Sequence, residues 1–228
     1  MARTTPKARV PSRKKKPIID WDAAAELLAP RYRTFYADPP WFLKGMYGKS
    51  VSEWAAKRGY AAMTLQQLKE VPIQDLWHPD GCHLYLWSSN ALLPDSLELM
   101  KFWGFDYITA ITWLKEEPAV GYYYRSMTEQ CLFGVRHGKG TRKNLPVRTV
   151  KGEPQRGETA FYSPREPAFR KPDKMREIIE KVSYPRYLEI WPKETFPHWD
   201  TWDGAHEPIR RNLEDTSVPG RPEIIRGE

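Results

Sequence analysis

The stretch "FYADPPWFLKG", residues 35–45, joins an apolar run of strand character to a rigid turn. The run ends in Asp38, and Pro39, Pro40 and Trp41 follow it directly. Each proline fixes its own φ, and Pro39 also keeps Asp38 out of the helical region, so the chain leaves the predicted strand in a stiff turn. Ligands of open α/β sheets bind beyond the carboxyl ends of strands, and Asp38 is predicted to lie at such a place.

This turn is predicted to act as a cluster of hydrogen-bond acceptors. Neither proline has an N–H group, so we expect the carbonyl oxygens of Asp38 and Pro39 to face outward beside the Asp38 carboxylate. A carboxylate with one or two free carbonyls suits an exocyclic amino group, because accepting both of its hydrogens turns the nitrogen lone pair toward an electrophile. Trp41 is expected to cover the flat face of the base. The structural alternative is a tight proline turn with a capping Asp38 and a core Trp41.

Around the turn, apolar segments of strand length alternate with segments of helical pattern. The predicted strands are "RTFYAD", "CHLYLWSS", "FDYITAITWLK", "QCLFGVR" and "RYLEIW", and the predicted helices are "DWDAAAELLAP", "TLQQLKEVP", "LLPDSLELMKFWG" and "KPDKMREIIEKVS". We expect Thr64 to cap the second helix, Gly104 to end the third and Pro172 to open the fourth. Residues 136–170 are predicted to form a long loop region. This alternation predicts an α/β fold with a mostly parallel sheet and helices on both faces.

Residues 42–59 combine glycines with basic side chains between the turn and Tyr60. They predict a mobile loop that rims the site and that orders or moves when a nucleic acid binds; the alternative is a fixed surface helix. A base in a duplex must be extruded before its exocyclic amino group can reach Asp38, and a basic lid would hold it out.

The charge of the chain is concentrated at its start. Residues 1–17 contain seven basic residues and no acidic one, which accounts for the net charge of +7. This arm is interpreted as a phosphate-binding segment or a nuclear-import signal, the alternative being a solvated disordered tail. The predicted organisation is a basic arm at 1–17, one domain at 18–205 and a polar tail at 206–228, in a chain of 228 residues.

Cysteine and apolar patterns predict the compartment. Cys82 and Cys131 each lie in an apolar run and are predicted to be buried free thiols in a reducing compartment. No apolar run approaches the ~20 residues of a membrane span, and no secretory signal is present. We expect no membrane association and a cytoplasmic location in a bacterium or a phage-infected host, or a nuclear one if the source is eukaryotic. No Cys/His spacing indicates zinc, and no metal is expected.

The turn and the segments after it resemble a known family. "DPPW" resembles the catalytic motif of amino-group methyltransferases that use S-adenosylmethionine. With "LYLWSSN", "FWGFDYITAITWLK", "EQCLFGVR", "RKPDKMREIIEKVS" and "LEIWPKETFPHWDTWD", it looks like the family of the catalytic subunit of the eukaryotic mRNA N6-adenosine methyltransferase, over roughly residues 32–203. The resemblance implies a Rossmann-like methyltransferase fold and methyl transfer to N6 of adenine, with Asp38, Pro39, Pro40 and Trp41 as the catalytic turn.

The resemblance also implies residues that bind the substrate. They are Tyr60, Trp87, Arg125, Glu129, Arg165, Glu166 and Lys171. Tyr60 is placed as a wall of the adenine pocket, with a loop aromatic as the alternative, and Trp87 is equally compatible with core packing. A loop charge pair is the alternative for Arg125 and Glu129. The segment "REPAFRKP" departs from the family pattern by one extra residue and a missing serine.

On the cofactor side the sequence departs further from the family. The resemblance implies that Asp38 lies close to the methionine end of S-adenosylmethionine. The other candidate cofactor-binding residues are Lys193 and Asp203, with Trp199, Asp200 and Thr201 as an alternative source of contacts. Lys193 replaces the usual arginine and is expected to reach the cofactor carboxylate as a point charge. The usual ribose-binding Asn and Glu or Gln are missing, and Asp203 is expected to accept from the ribose hydroxyls instead.

The resulting prediction is an enzyme that methylates adenine N6 in DNA. Three alternatives stay open: an RNA methyltransferase, a catalytically silent nucleic-acid-binding subunit, and a plain nucleic-acid-binding module without a cofactor. The partner is predicted to be nucleic acid, DNA before RNA, and assembly as a homodimer or heterodimer is left open.

Overall fold

The computed structural model describes residues 31–42, 62–119, 123–138, 147–150, 153–165, 170–204 and 209–210. Four of the sequence predictions fall wholly or almost wholly outside these ranges: the basic arm, the helix within residues 20–30, the loop at 42–59 and the C-terminal tail.

A seven-stranded sheet forms the centre of the fold. Its strands are β1 (Thr34–Ala37), β2 (Gly81–Ser88), β3 (Asp106–Leu114), β4 (Thr128–His137), β7 (Ala160–Tyr162), β8 (Tyr187–Ile190) and β9 (Trp199–Trp202), while β5 (Thr149–Val150) and β6 (Glu153–Pro154) form a separate two-stranded pair. The order across the large sheet is β7-β3-β4-β2-β1-β8-β9. All neighbours pair in parallel except β4, which is antiparallel to both β2 and β3. The predicted mostly parallel α/β sheet is confirmed.

Three α-helices accompany the sheet in the described part of the chain: α1 (Leu65–Lys69), α2 (Leu93–Phe102) and α3 (Lys174–Val182). Thr64 caps α1 as predicted: its hydroxyl accepts from the Gln67 N–H, and the Gln67 side chain accepts from the Thr64 N–H. Gly104, with φ +77°, follows α2 and ends it as predicted. No helix within the described ranges has the length and apolarity needed to cross a membrane.

The prediction for the start of the last helix is wrong by two residues. Helix α3 begins at Lys174 after the N-cap Asp173, so Pro172 precedes the helix. The Pro172 carbonyl instead accepts from the Met175 N–H at 3.0 Å. Proline is tolerated at either place, because its missing N–H has no intrahelical partner there.

The buried side chains separate into two clusters, one on each face of the sheet. Phe35 and Ala37 of β1 lie with residues of α1 and α2, whereas Tyr36 lies with Tyr85, Trp87 and residues of α3. Successive strand residues point to opposite faces, so one apolar strand supplies both clusters. The prediction of helices on both faces is confirmed, and Cys82 and Cys131 are buried free thiols as predicted.

Two strands of the sheet were missed by the sequence analysis. Strand β7 lies inside the predicted loop region 136–170 and pairs in parallel with the end of β3, Thr112–Leu114. Strand β9 pairs in parallel with β8, and it contains Asp200 and Thr201, both nearly fully buried. A three-residue strand and a strand with polar residues carry no recognisable period, so only their pairing partners define them.

Candidate active site

Asp38 stands at the carboxyl edge of the sheet, directly after β1. Its N–H donates to the carbonyl of Ile190 at the end of the parallel neighbour β8, at 3.4 Å. The side chain keeps 19% of its surface exposed. The position predicted from the sequence, a carboxylate at the open end of a parallel strand, is therefore the one that the chain adopts.

The proline turn is fixed by backbone hydrogen bonds on both sides. The Trp41 N–H donates to the Pro39 carbonyl at 2.8 Å, and the Met63 N–H donates to the Pro40 carbonyl at 2.7 Å. The expectation that the Pro39 carbonyl has no local donor is wrong, because the N–H two residues later reaches it. A carbonyl oxygen has two lone pairs, so Pro39 retains one further acceptor position.

Trp41 is a buried support of this turn. Only 5% of its surface is exposed, and it belongs to the same apolar cluster as Trp191 and Trp202. Its Nε1 is buried without a hydrogen-bond partner among the described residues. The ring thus presents little surface with which to cover a base, and the structural alternative for Trp41 agrees better with its burial.

A line of alternating charges leads away from Asp38. The Lys171 ammonium lies 3.4 Å from Asp38 Oδ1 and 2.7 Å from Glu129 Oε2. The second oxygen of Glu129 pairs with Lys115, which is only 5% exposed. The fold therefore brings together three predicted site residues, Asp38, Glu129 and Lys171, and adds Lys115.

The two lysines decide the ionisation of Glu129. Burial alone raises the pKa of this carboxyl group, but Lys171 and then Lys115 outweigh burial and lower its pKa from 4.5 to about 2. Burial also lowers the pKa of Lys115, an effect that Glu129 opposes. Glu129 is consequently an anion at neutral pH and holds both ammonium groups in place.

Trp87 backs this charged line from the core. It is 1% exposed, its Nε1 donates to the Tyr36 hydroxyl at 2.7 Å, and the Lys171 ammonium lies 4.9 Å from its ring centroid. The Lys115 ammonium lies over Trp113 in the same way, 4.8 Å from the ring centroid. Ammonium groups over indole faces are attracted by the ring quadrupole. Trp87 thus positions Lys171 and has almost no surface left for a base.

A small cleft opens on the other side of Asp38. It encloses about 270 Å³, including space open to solvent, and its lining consists of Asp38, Arg170, Lys171, Arg176, Glu189, Trp191, Lys193 and Glu194. Of the predicted cofactor residues, Asp38 and Lys193 meet here. The lining offers both carboxylates and cations within one narrow space, which suits a ligand with charges of both signs.

One ion pair closes the floor of the cleft. Arg176 of α3 donates to both carboxylate oxygens of Glu189 in β8, at 2.8 to 3.1 Å. The same guanidinium donates to Asp173 at 2.9 Å and lies 3.5 Å from the centroid of the Phe196 ring. These contacts tie the start of α3 to strand β8, next to the edge of the sheet.

The other predicted cofactor-binding residues do not line the cleft. Asp200 accepts from the Tyr32 hydroxyl at 2.8 Å and from Arg186 at 3.1 Å. Because Tyr32 and Arg186 precede β1 and β8, Asp200 faces the amino edge of the sheet, away from Asp38. Trp199 is buried and donates to Glu180 at 2.7 Å, and Thr201 is buried in β9. Asp203 follows β9 at the carboxyl edge and is partly exposed.

The remaining substrate predictions lie on the surface or outside the described residues. Arg125 is exposed in the turn before β4, and Arg165 is exposed close enough to Lys115 to contribute to the lowering of its pKa. Tyr60 and Glu166 are not among the described residues.

Five charged residues of the site were not selected from the sequence: Lys115, Arg170, Arg176, Glu189 and Glu194. Lys115 directly follows the apolar run "ITWL", the same signal that identified Asp38. Glu189 interrupts the apolar strand "YLEIW", and a charge inside such a strand requires a partner. No comparable signal marks Arg170 and Arg176.

The sheet order, the acidic proline turn at its carboxyl edge and the adjoining cleft define a Rossmann-like methyltransferase. The sequence profile of the MT-A70 family matches residues 32–205, and the chain belongs to that family. The predicted fold class and the predicted methyltransferase class are both confirmed.

Curated relatives agree with this assignment. The chain is similar to the Type II methyltransferase M.MunI of a Mycoplasma species, with 26% identity over 189 residues that cover 75% of this chain and 76% of the relative. It is similar to the N(6)-adenosine-methyltransferase subunit METTL3 of Danio rerio, with 23% identity over 192 residues, 77% of this chain and 29% of the relative. Human METTL3, a catalytic subunit, is 22% identical with the same coverage. The chain thus spans less than a third of the METTL3 proteins.

Proposed function

We propose that this protein transfers a methyl group from S-adenosylmethionine to N6 of adenine in DNA. The observation that carries the proposal is the position of Asp38, whose partly exposed carboxylate contacts Lys171 of the Lys171–Glu129 line and also lines the mixed-charge cleft. A single carboxylate can there face the amino group of the acceptor base on one side and the methyl donor on the other.

The turn orients the amino group. The Asp38 carboxylate and the second lone pair of the Pro39 carbonyl oxygen accept the two hydrogens of the amino group. This directs the nitrogen lone pair toward the cleft. Lys171 fixes the orientation of the carboxylate at 3.4 Å without occupying both of its oxygens. The contribution of the protein is therefore positioning, which can supply several kcal/mol of a barrier when the reacting atoms are aligned.

The residues of the cleft fit the amino-acid end of S-adenosylmethionine. Lys193 and Arg170 can hold its carboxylate, while Asp38 and Glu194 can accept from its ammonium group. Asp203, at the carboxyl end of β9, is the candidate for the ribose hydroxyls. When bound, S-adenosylmethionine would supply a methyl group on a sulfonium centre. The amine would attack that methyl carbon as the carbon–sulfur bond breaks, S-adenosylhomocysteine would leave as the neutral thioether, and the methylated amine would lose one proton to solvent.

DNA is favoured over RNA by the extent of similarity. The Type II methyltransferase relative is matched over about three quarters of both chains, whereas the N(6)-adenosine-methyltransferase relatives are matched over 29% of their length. RNA is the second candidate, because those relatives are named for adenosine. A cytoplasmic location and assembly as a homodimer or heterodimer belong to the proposal as well.

The test is a methylation assay with three substrates of random sequence: single-stranded DNA, duplex DNA and RNA. The protein is incubated with methyl-labelled S-adenosylmethionine, and the nucleosides are separated by mass spectrometry. Label in N6-methyldeoxyadenosine supports the proposal. Label confined to N6-methyladenosine would instead assign the methylation to RNA. Absence of label in all three, together with calorimetric binding of S-adenosylmethionine, would identify a silent subunit; absence of cofactor binding would leave a nucleic-acid-binding module.

A further inference from the structure

Two tyrosines before β4 project into solvent to an unusual degree. Tyr123 and Tyr124 are 95% and 92% exposed, whereas the other exposed large apolar side chains of the described residues range from 37% to 58%. Neither ring is used by the charge line or by the cleft. Two adjacent, solvated aromatic rings offer a surface on which a flat apolar ligand can pack, since apolar surface is stabilised when it leaves water.

The chain that carries the two rings is held in place at its base. The Lys115 N–H donates to the Met127 carbonyl and the Ala119 N–H donates to the Ser126 carbonyl, both at 2.8 Å. The Asn90 side chain donates to the hydroxyls of Ser126 and Thr128, both at 3.1 Å. These bonds extend the β3–β4 pair beyond the sheet, so Tyr123 and Tyr124 stand on a supported projection.

This projection lies on the same edge of the sheet as Asp38. Strand β4 is antiparallel to its neighbours, so it begins at the edge where β1 ends. Glu129, near the start of β4, is linked to Asp38 through Lys171. Tyr124 precedes Glu129 by five residues, and an extended chain spans at most about 3.6 Å per residue, which limits the Cα separation to about 18 Å. The rings can therefore reach nucleotides that flank a base bound at Asp38.

The charges of the projection favour bases over phosphates as its ligand. Arg125 is exposed beside the rings, but Glu116 and Glu117 are exposed on the opposite arm and disfavour a phosphate. Stacking between a base and an aromatic ring does not depend on such charges and is available to every base.

We propose that Tyr123 and Tyr124 form a stacking platform for an unpaired base next to the target adenine. The inference rests on the proposed function and deepens it: the preferred substrate has unpaired bases beside its target, as in single-stranded nucleic acid or an opened duplex. Arg125 can add one phosphate contact at the edge of the platform.

The experiment compares three variants of the full chain. Y123A/Y124A removes both rings, Y123F/Y124F keeps the rings without the hydroxyls, and F102A removes a half-exposed ring at the end of α2. Binding is measured by fluorescence anisotropy with a labelled single-stranded DNA that contains one adenine, and with the same DNA carrying abasic sites on both sides of that adenine.

Because Y123A/Y124A loses base stacking, we expect it to bind the intact DNA about tenfold more weakly than the unchanged protein. Y123F/Y124F and F102A should bind this DNA as tightly as the unchanged protein does. On the abasic DNA, the unchanged protein and Y123A/Y124A should bind equally. Equal binding of the intact DNA by the unchanged protein and Y123A/Y124A, with methylation of the unchanged protein preserved, would refute the platform alone. If the unchanged protein neither binds nor methylates nucleic acid, the proposed function and the platform fail together.

Discussion

The partly buried Glu129 and the buried Glu189 have pKa values shifted in opposite directions. Glu129 lies between Lys171 and Lys115, and its pKa falls to about 2 although burial opposes ionisation. Burial raises the pKa of Glu189 to about 7, and the paired Arg176 offsets only part of that effect. The carboxyl groups of Asp38 and Glu194 raise the pKa of Glu189 further. The same side chain therefore responds to the charges around it and not to its depth alone.

The difference shows how charge is distributed across the site. On the Glu129 side, the two positive charges of Lys171 and Lys115 are matched by the negative charges of Glu129 and Asp38. On the Glu189 side, the cleft combines three carboxylates with four cationic groups, so charges of both signs meet there. A ligand with charges of both signs finds partners in the second region, while the first region holds the Asp38 carboxylate through Lys171.

The largest expected effect comes from Asp38, which borders both regions. D38N should lower the methyl-transfer rate about 1,000-fold, because it replaces one acceptor oxygen by a donor and misorients the amine. Single-turnover assays at saturating cofactor and DNA measure this loss. D38A should lose at least as much, and thermal unfolding of both variants should stay close to that of the unchanged protein. Substantial methylation by both variants would refute the role of the turn.

Removing the cation on the Glu189 side should mainly affect stability. R176M leaves Glu189 buried without its guanidinium, and breaking a buried pair of this kind costs about 3 kcal/mol or more of unfolding free energy. The loss should be larger at pH 8 than at pH 5, because Glu189 becomes neutral at the lower pH. Urea unfolding at both pH values measures the effect, with K174M on the exposed surface of the same helix as control. Equal losses at the two pH values would argue against a charged Glu189.

The two glutamates should give opposite pH dependences of stability. The lowered pKa of Glu129 means that its contribution is complete above about pH 4.5 and is lost as the pH falls toward about 2. The raised pKa of Glu189 means that its contribution is present below about pH 4.5 and is lost as the pH rises through about 7.

Matched glutamine variants separate these contributions. The difference in unfolding free energy between E129Q and the unchanged protein should change only in the acidic window, and that for E189Q only between about pH 4.5 and 7. E129Q should also slow methyl transfer about tenfold, because Lys171 loses its anchor beside Asp38. Parallel pH profiles for the two variants would contradict the comparison.

The smallest effect is expected from the basic arm, which lies outside the described residues and whose sequence contains no acidic partner. Deleting residues 1–17 should weaken DNA binding and flatten its salt dependence by about 0.9 in the log–log slope for each phosphate that the arm neutralises on duplex DNA. Methylation of a short, saturating substrate should be retained. Titrations at several salt concentrations measure the slope, and an unchanged slope would assign the arm to a different role.

Much of the fold was predictable because its signals are local. The apolar runs around Leu84 and Leu188, the Thr64 cap and the Gly104 stop all operate within a few residues, and each was predicted correctly. Strands β7 and β9 were not, because their identity depends on the neighbours that they pair with. Trp41 was expected to cover a base, and for Trp87 a substrate role and core packing were both open. Burial, which depends on the whole fold, left both rings almost no open surface.

The sequence by itself determined the stiff turn at residues 38–41, since two prolines and an acid after an apolar run constrain the backbone whatever surrounds them. It also determined the class of protein, through the family pattern that continues beyond the turn. Only the tertiary structure decided which charges meet: Lys115, Glu129 and Lys171 come from separate segments, and Asp200 lies at the amino edge although its neighbour Asp203 lies at the carboxyl edge. Pairing between distant segments depends on strand order and side-chain direction, which no short stretch of sequence contains.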